Sequence, residues 1–204
     1  RIFYAMKANP HPEILQKLKF CGAGADVVSG GEIDRALSCG FLPQEIIFSG
    51  VGKTKQEITQ SVELGLYQIN VESLPELQRI ADICRQRQKK MSIVLRVNPN
   101  IDIKTHSHIA TGLRENKFGL EFSMWDEVKS ILRKSPQLEL KGLSLHLGSQ
   151  MQEFDGLRQA LKLTRTFFET ARSEFPLLKR FDVGGGLGIN YETQDLSGEN
   201  QKLI

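Results

Sequence analysis

The chain has 204 residues, of which 40% are hydrophobic and 25% charged, with 27 Lys and Arg against 24 Asp and Glu for a net charge of +3. That composition excludes a disordered or collagen-like chain, and no apolar run reaches the roughly 18 residues of a membrane-spanning helix. The small positive excess is spread along the sequence, so neither nucleic acid nor a membrane is expected as a partner. The chain opens at Arg1 on a strand-like run, without the basic start, apolar stretch and small-residue cleavage site of a signal peptide. A fragment of a longer polypeptide is the expectation. Cys21, Cys39 and Cys84 are widely spaced and form no CxxC, which fits reduced thiols in a cytosolic compartment better than disulfides or zinc.

Short apolar runs alternate with amphipathic stretches. Strands are predicted over 2–8, 25–29, 45–49, 67–72, 91–99, 138–149 and 180–183, and helices over 11–20, 31–38, 55–64, 75–88, 124–134 and 154–175. Leu77, Ile80, Ala81 and Cys84 fall on one helical face, with Ser73 placed to cap and Pro75 in the first turn. Gly22, Gly40 and Gly65 each follow a helix, where a left-handed residue favours glycine. Strict strand–helix alternation demands parallel strands and right-handed crossovers. Seven units at about 29 residues each match the βαβ repeat of about 30. The fold expected is α/β, a (β/α)8 TIM barrel, which typically needs about 250 residues. It is incomplete here, with about seven β/α units in one domain over 1–204 and the eighth strand expected beyond Ile204. The long polar stretch 98–121 follows strand five, where a barrel carries an active-site loop.

Barrel chemistry collects at the C-terminal ends of the strands. Read in order, those ends carry Lys7, Asp26, Ser49, Glu72, Arg96, His146 and the run Gly184-Gly185-Gly186. Alternation puts Phe3, Ala5 and Lys7 on one face of strand one. An inward, desolvated lysine can form a Schiff base; a snorkelling lysine is the bland alternative. Asp26 either pairs with Lys7 or simply ends its strand. Arg96 interrupts an apolar run and needs an anion, either a structural carboxylate or a ligand phosphate. Alternation places Ser144 and His146 on one face, with the histidine either at the barrel mouth or structural. Three consecutive glycines exceed what a turn requires and suit a phosphate cradle, which barrels often build after strands seven and eight.

Two decoys fall away. Gly52-Lys53-Thr54 resembles the end of a P-loop, but the glycine that motif needs is Ile47. The glycine run fails the Rossmann spacing, because Ile189 stands where a glycine belongs. His11, His106, His108 and His146 show no metal-binding spacing, so no metal is expected. A lysine, a glycine cradle, a histidine and an inward acid together suggest pyridoxal 5′-phosphate (PLP), which needs a lysine for its aldehyde and an anion hole for its phosphate.

Tyr4-Ala5-Met6-Lys7-Ala8-Asn9 resembles the lysine motif of the fold-type III PLP-dependent decarboxylases. Further blocks make the sequence most similar to the diaminopimelate decarboxylases among them. They are Gly24–Glu32, Phe48–Thr54, Asn70–Ser73, Arg96–Pro99, Thr111-Gly112, Lys117–Gly119, His146–Gln150 and Asp182–Gly188. The resemblance implies that Lys7 carries the cofactor and that His146 stacks on its ring, the two being the catalytic pair. It implies that Ser149 and Gly184, Gly185 and Gly186 bind the phosphate. Asp26 and Arg96 would support the lysine and the cofactor's polar surroundings. The implied reaction is decarboxylation of meso-2,6-diaminopimelate to L-lysine and CO2, the last step of lysine biosynthesis. The amino-acid substrate is a small molecule, and the enzyme a cytoplasmic homodimer (plastidic if the source is a plant). Two alternatives stay open: a related decarboxylase of ornithine, arginine or carboxynorspermidine, or a PLP-binding homologue without catalysis. The family's Glu-Pro-Gly-Arg strand and C-terminal β-domain do not occur in these residues, so the isolated chain is expected to be inactive.

Overall fold

The computed structural model describes residues 1–99, 118–148, 155–186 and 188. Strands β1 (Phe3–Ala5), β2 (Gly24–Val27), β3 (Ile46–Phe48), β4 (Gln68–Val71) and β5 (Met91–Asn98) come first. A two-residue strand β6 (Leu120–Glu121), then β7 (Leu138–Ser144) and β8 (Arg180–Asp182), follow. Helices α1 (Pro12–Phe20), α2 (Gly30–Ser38), α3 (Lys55–Leu64), α4 (Leu74–Arg87), α5 (Trp125–Arg133) and α6 (Asp155–Glu174) separate them. The sheet runs β1-β2-β3-β4-β5-β7-β8, every pairing parallel, with β6 alongside β5. The expected alternation is therefore present through all seven units, as an incomplete α/β barrel. The short β6 and three one-turn 3-10 segments were not expected from the sequence. No helix among the described residues is long and apolar enough to cross a membrane.

Helix starts follow from local chemistry. Ser29, Thr54 and Ser73 cap α2, α3 and α4, each accepting from the amide of the glutamate three residues on. Gly65 closes α3 in the left-handed region, and Gly22 and Gly40 take positive φ just past α1 and α2, as their positions predicted.

Partners across parallel strands share a face, so the register separates the two sides of the sheet. Ala25, Val27, Ile46, Phe48, Ile69, Val71, Ile93 and Leu95 are buried together under the helices. The opposite face carries Ala5, Asp26, Ile47 and Gln68 in one paired run and Asn70, Val94, Gly142 and Arg180 in another. This second face is concave: Arg180 on β8 reaches back to β4, donating to Gln68 Oε1 at 3.0 Å and lying 3.9 Å over the Tyr67 ring. Only a sheet curled into a barrel wall brings those strands together. On β7 the pairing slips: Ile93 faces Leu140, but Val94 faces Gly142, so Lys141 is an extra residue. Leu138, Leu140, Leu143 and Leu145 can then all lie in the helix-covered core.

Gly142 is required by this packing. A Cβ there would stand 2.5 Å from the Arg180 carbonyl oxygen, whereas one on Gly185 would meet nothing within 4 Å. Gly142→Ala is expected to lower unfolding stability by about 1–3 kcal/mol, and Gly185→Ala to change it by less than about 0.5 kcal/mol. Urea unfolding of the two variants checks the contrast.

Candidate active site

The C-terminal strand ends gather the expected side chains, with two differences in backbone. Strand one stops at Ala5, and Lys7 stands on a 3-10 turn, Met6–Ala8. The β1–β2 pairing ends at Ala5–Asp26, so the chain is free to turn once Met6 is buried beneath it. Lys7 is exposed and makes no hydrogen bond or ion pair among the described residues. Strand β7 likewise ends at Ser144 rather than at residue 149, leaving His146 exposed just beyond it while Ser144 is buried. The last backbone tie there is Leu145 N–H to the Asp182 carbonyl, 2.9 Å.

Asp26 is the most perturbed group of the site. Its carboxyl is pushed up to about 6, first by burial; a hydrogen bond from Ser49 opposes this, Asp182 adds to it, and nearby Lys7 opposes it. One carboxylate oxygen, Oδ1, is buried without a partner. The expected Lys7–Asp26 pairing is thus an electrostatic neighbourhood without a contact ion pair. Ser49 in turn accepts from Asn70 Nδ2 at 3.0 Å, Asn70 Oδ1 from Gln68 Nε2 at 2.9 Å, and Gln68 Oε1 from Arg180. The donors run one way, from the guanidinium on β8 to the Ser49 hydroxyl just past β3.

A second cluster sits beside it. Arg96 Nη1 donates to Glu72 Oε2 at 2.8 Å, and Glu72 Oε1 accepts from the Gly50 amide at 3.1 Å. Arg96 Nη2 reaches the His146 carbonyl at 3.4 Å. Of the two roles open to Arg96, the structural ion pair is the one formed. Though its side chain reaches solvent, the His146 imidazole is held below its ordinary value, first by burial of its ring and then by Arg96 and Lys7. Its neutral form is favoured at neutral pH.

The glycine run divides by function. Gly184 has φ +76°, and a Cβ there would overlap the Leu145 carbonyl oxygen. Its amide donates to Asp182 Oδ1 at 2.8 Å. Gly186 also takes positive φ, at +87°. Gly185 has neither constraint, and its missing side chain leaves open space. The Gly185 and Gly186 amides have no partner among the described residues. Ser149 and most of the 98–121 stretch, including His106 and His108, lie outside the described residues. Asn70, Gln68, Glu76, Lys53 and Arg180 were not expected as site residues; the polar alternation Gln68-Ile69-Asn70-Val71-Glu72 was the signal for two of them, Gln68 and Asn70.

The family described as pyridoxal-dependent decarboxylase, pyridoxal binding domain, matches residues 1–203. Diaminopimelate decarboxylase of Aquifex aeolicus is 39% identical over 202 residues, covering 99% of this chain and 48% of its own length. That of Helicobacter pylori (strain J99) is 44% identical over 197 residues, covering 95% of this chain and 48% of its own length. A crystal structure of the H. pylori enzyme complexed with L-lysine superposes with a TM-score of 0.82 at 42% identity, over 95% of this chain and 49% of that one. The chain thus spans about half the length of the curated relatives it matches.

Because the folded Asp26 carboxyl titrates near about 6 rather than 3.8, the folded state binds its proton more tightly than the unfolded chain does. Stability therefore falls as pH rises from about 4 to about 6 and stays reduced above, a difference of about 3 kcal/mol. Asp26→Asn keeps the shape and cannot ionise. It is expected to be about 2–3 kcal/mol more stable than the wild type at about pH 8 and no more stable below about pH 4, read by denaturant unfolding of the cofactor-free protein.

Proposed function

This chain belongs to the pyridoxal-dependent decarboxylases, and from that premise we propose that it is one barrel domain over 1–204 holding PLP in a decarboxylase of meso-2,6-diaminopimelate that releases L-lysine and CO2. The observation that carries the proposal is the convergence of Lys7, Asp26, Arg96, His146 and the Gly184–Gly186 turn at the C-terminal ends of β1, β2, β5, β7 and β8. The substrate assignment is supported by 39–44% identity to the Aquifex and Helicobacter diaminopimelate decarboxylases.

The residues present fit the cofactor. Lys7 offers an amine without a competing partner, next to a carboxylate. Gly185 borders open space, and the amides of Gly185 and Gly186, unpartnered among the described residues, suit a phosphate. Ser149 is proposed as a further phosphate ligand. When bound, PLP supplies an electron sink for the pair left by departing CO2.

The chain's own groups do the rest. Lys7 holds the cofactor through its aldehyde and then stands free to carry a proton at Nζ. Asp26, ionised above about pH 6, stabilises the protonated Lys7 amine across the mouth. His146 presents an uncharged imidazole, whose flat face can lie against an aromatic ring without the desolvation cost of a cation. Arg96, paired with Glu72, positions the His146 backbone through its carbonyl. A homodimer in the cytoplasm completes the reading; the free thiols Cys21, Cys39 and Cys84 agree with a reducing compartment.

The test is CO2 release by the full-length protein from meso-2,6-diaminopimelate, with ornithine and arginine in parallel. Turnover of diaminopimelate alone is expected, and preference for ornithine or arginine would reassign the substrate. Lys7→Ala should abolish the visible absorbance of bound PLP and lower turnover at least about 10³-fold. A variant that kept both would refute the assignment of Lys7.

A further inference from the structure

Lys53, set aside above as a P-loop decoy, is buried, its side chain only 1% exposed. It lies in the loop between β3 and α3, and each of its three ammonium protons has an acceptor. Nζ donates to the Gly50 carbonyl at 2.6 Å, the Asn70 carbonyl at 2.7 Å and Glu76 Oε1 at 2.7 Å. Glu76, in the first turn of α4, uses its other oxygen to accept from the Glu72 amide at 2.9 Å. Glu72 then carries the connection to Arg96, and Arg96 to the His146 carbonyl. Gly50, at φ +90°, is gripped on both sides, its carbonyl by Lys53 and its amide by Glu72. The residue before it is Ser49, whose hydroxyl acts on the Asp26 carboxyl.

A buried ion pair is weak evidence for stability, since apolar residues of the same shape often pack as well. This pair is better explained by where its bonds lead. One branch runs through Glu72 and Arg96 to His146, the other through the Gly50 turn to Ser49 and Asp26. Four strand ends, those of β3, β4, β5 and β7, are thereby held at fixed separation.

We infer that Lys53 and Glu76 are positioning residues, a buried ion pair that sets the Glu72–Arg96 bridge and the Gly50 turn and so places His146 and Asp26 at the barrel mouth. The inference rests on the proposed role of His146 toward the cofactor. It assigns no contact between Lys53 and any ligand.

The experiment uses the full-length protein and the double variant Lys53→Met/Glu76→Gln, which removes both charges and keeps the volume. The readout is the imidazole titration of His146 followed by NMR without cofactor, its signal assigned by loss in His146→Asn. The groups facing His146 are Arg96, Lys7, Glu72 and Asp182. With the bridge released, burial and the Arg96 charge lessen at the ring, so the titration is expected to move upward, toward the ordinary imidazole value. The PLP absorbance of the loaded variant should shift with it. A folded double variant with unchanged His146 titration would overturn the inference. If the double variant does not fold, Glu76→Gln alone decides, by a smaller shift in the same direction or by none, the latter overturning it. Failure of the wild type to take up PLP would instead refute the proposed function, and the His146 titration would still judge the ion pair.

Discussion

A curled parallel sheet buries both of its faces, so any polar side chain on the concave side must find its partner inside the barrel. That constraint organises this molecule. The helix-covered face is apolar and closes without further demands. The concave face carries polar groups that pair with one another along and across the strands. The chain from Arg180 through Gln68 and Asn70 to Ser49 spans the interior with each donor pointing the same way, toward the Asp26 end. The aligned dipoles favour negative charge at the Asp26 end, yet burial outweighs them and the carboxyl remains hard to ionise. The partnerless oxygen of Asp26 is the break in the accounting, and it lies where the proposed cofactor would be held.

Incomplete pairing gathers at the mouth, although Gln137 Oε1 and Thr164 Oγ1, away from it, are also buried without a partner among the described residues. Among the described residues Lys7, Asp26 Oδ1 and the amides of Gly185 and Gly186 have no partner. Just behind them, the Lys53–Glu76 and Arg96–Glu72 pairs leave no polar atom of their carboxylates idle. A rigid shell around an unsatisfied centre is what preorganisation toward a charged ligand requires.

Much of this was legible in the residues. Strand–helix alternation, the Ser73 cap and the glycines after helices each report a local preference, and local preference survived into the fold. Strand ends were harder to read. Alternation continues past Ala5 to Lys7 and past Ser144 to His146, but β1 leaves its ladder one residue before β2 ends and β7 leaves at the end of β8, which is tertiary information. The partnership of Lys53 with Glu76 joins residues 23 apart, and nothing in either segment announces the other. Ser73 caps α4 as its position predicted, and Glu76, three residues on, reaches past that cap to bind a lysine.

The slip at Lys141 has a consequence for which residues meet solvent, cofactor or core. Strand β7 spaces its leucines at 138, 140, 143 and 145, a two-residue beat broken once by a three. The supernumerary Lys141 absorbs the broken beat, so the second half of the strand is rotated half a period relative to the first. Were the ladder to run on without that bulge, Leu143 and Leu145 would turn into the lumen and Ser144 out against the helices, and the imidazole that follows would be carried to the wrong side of the wall, whereas excising Lys141 itself would leave an unbroken beat with all four leucines still against the helices.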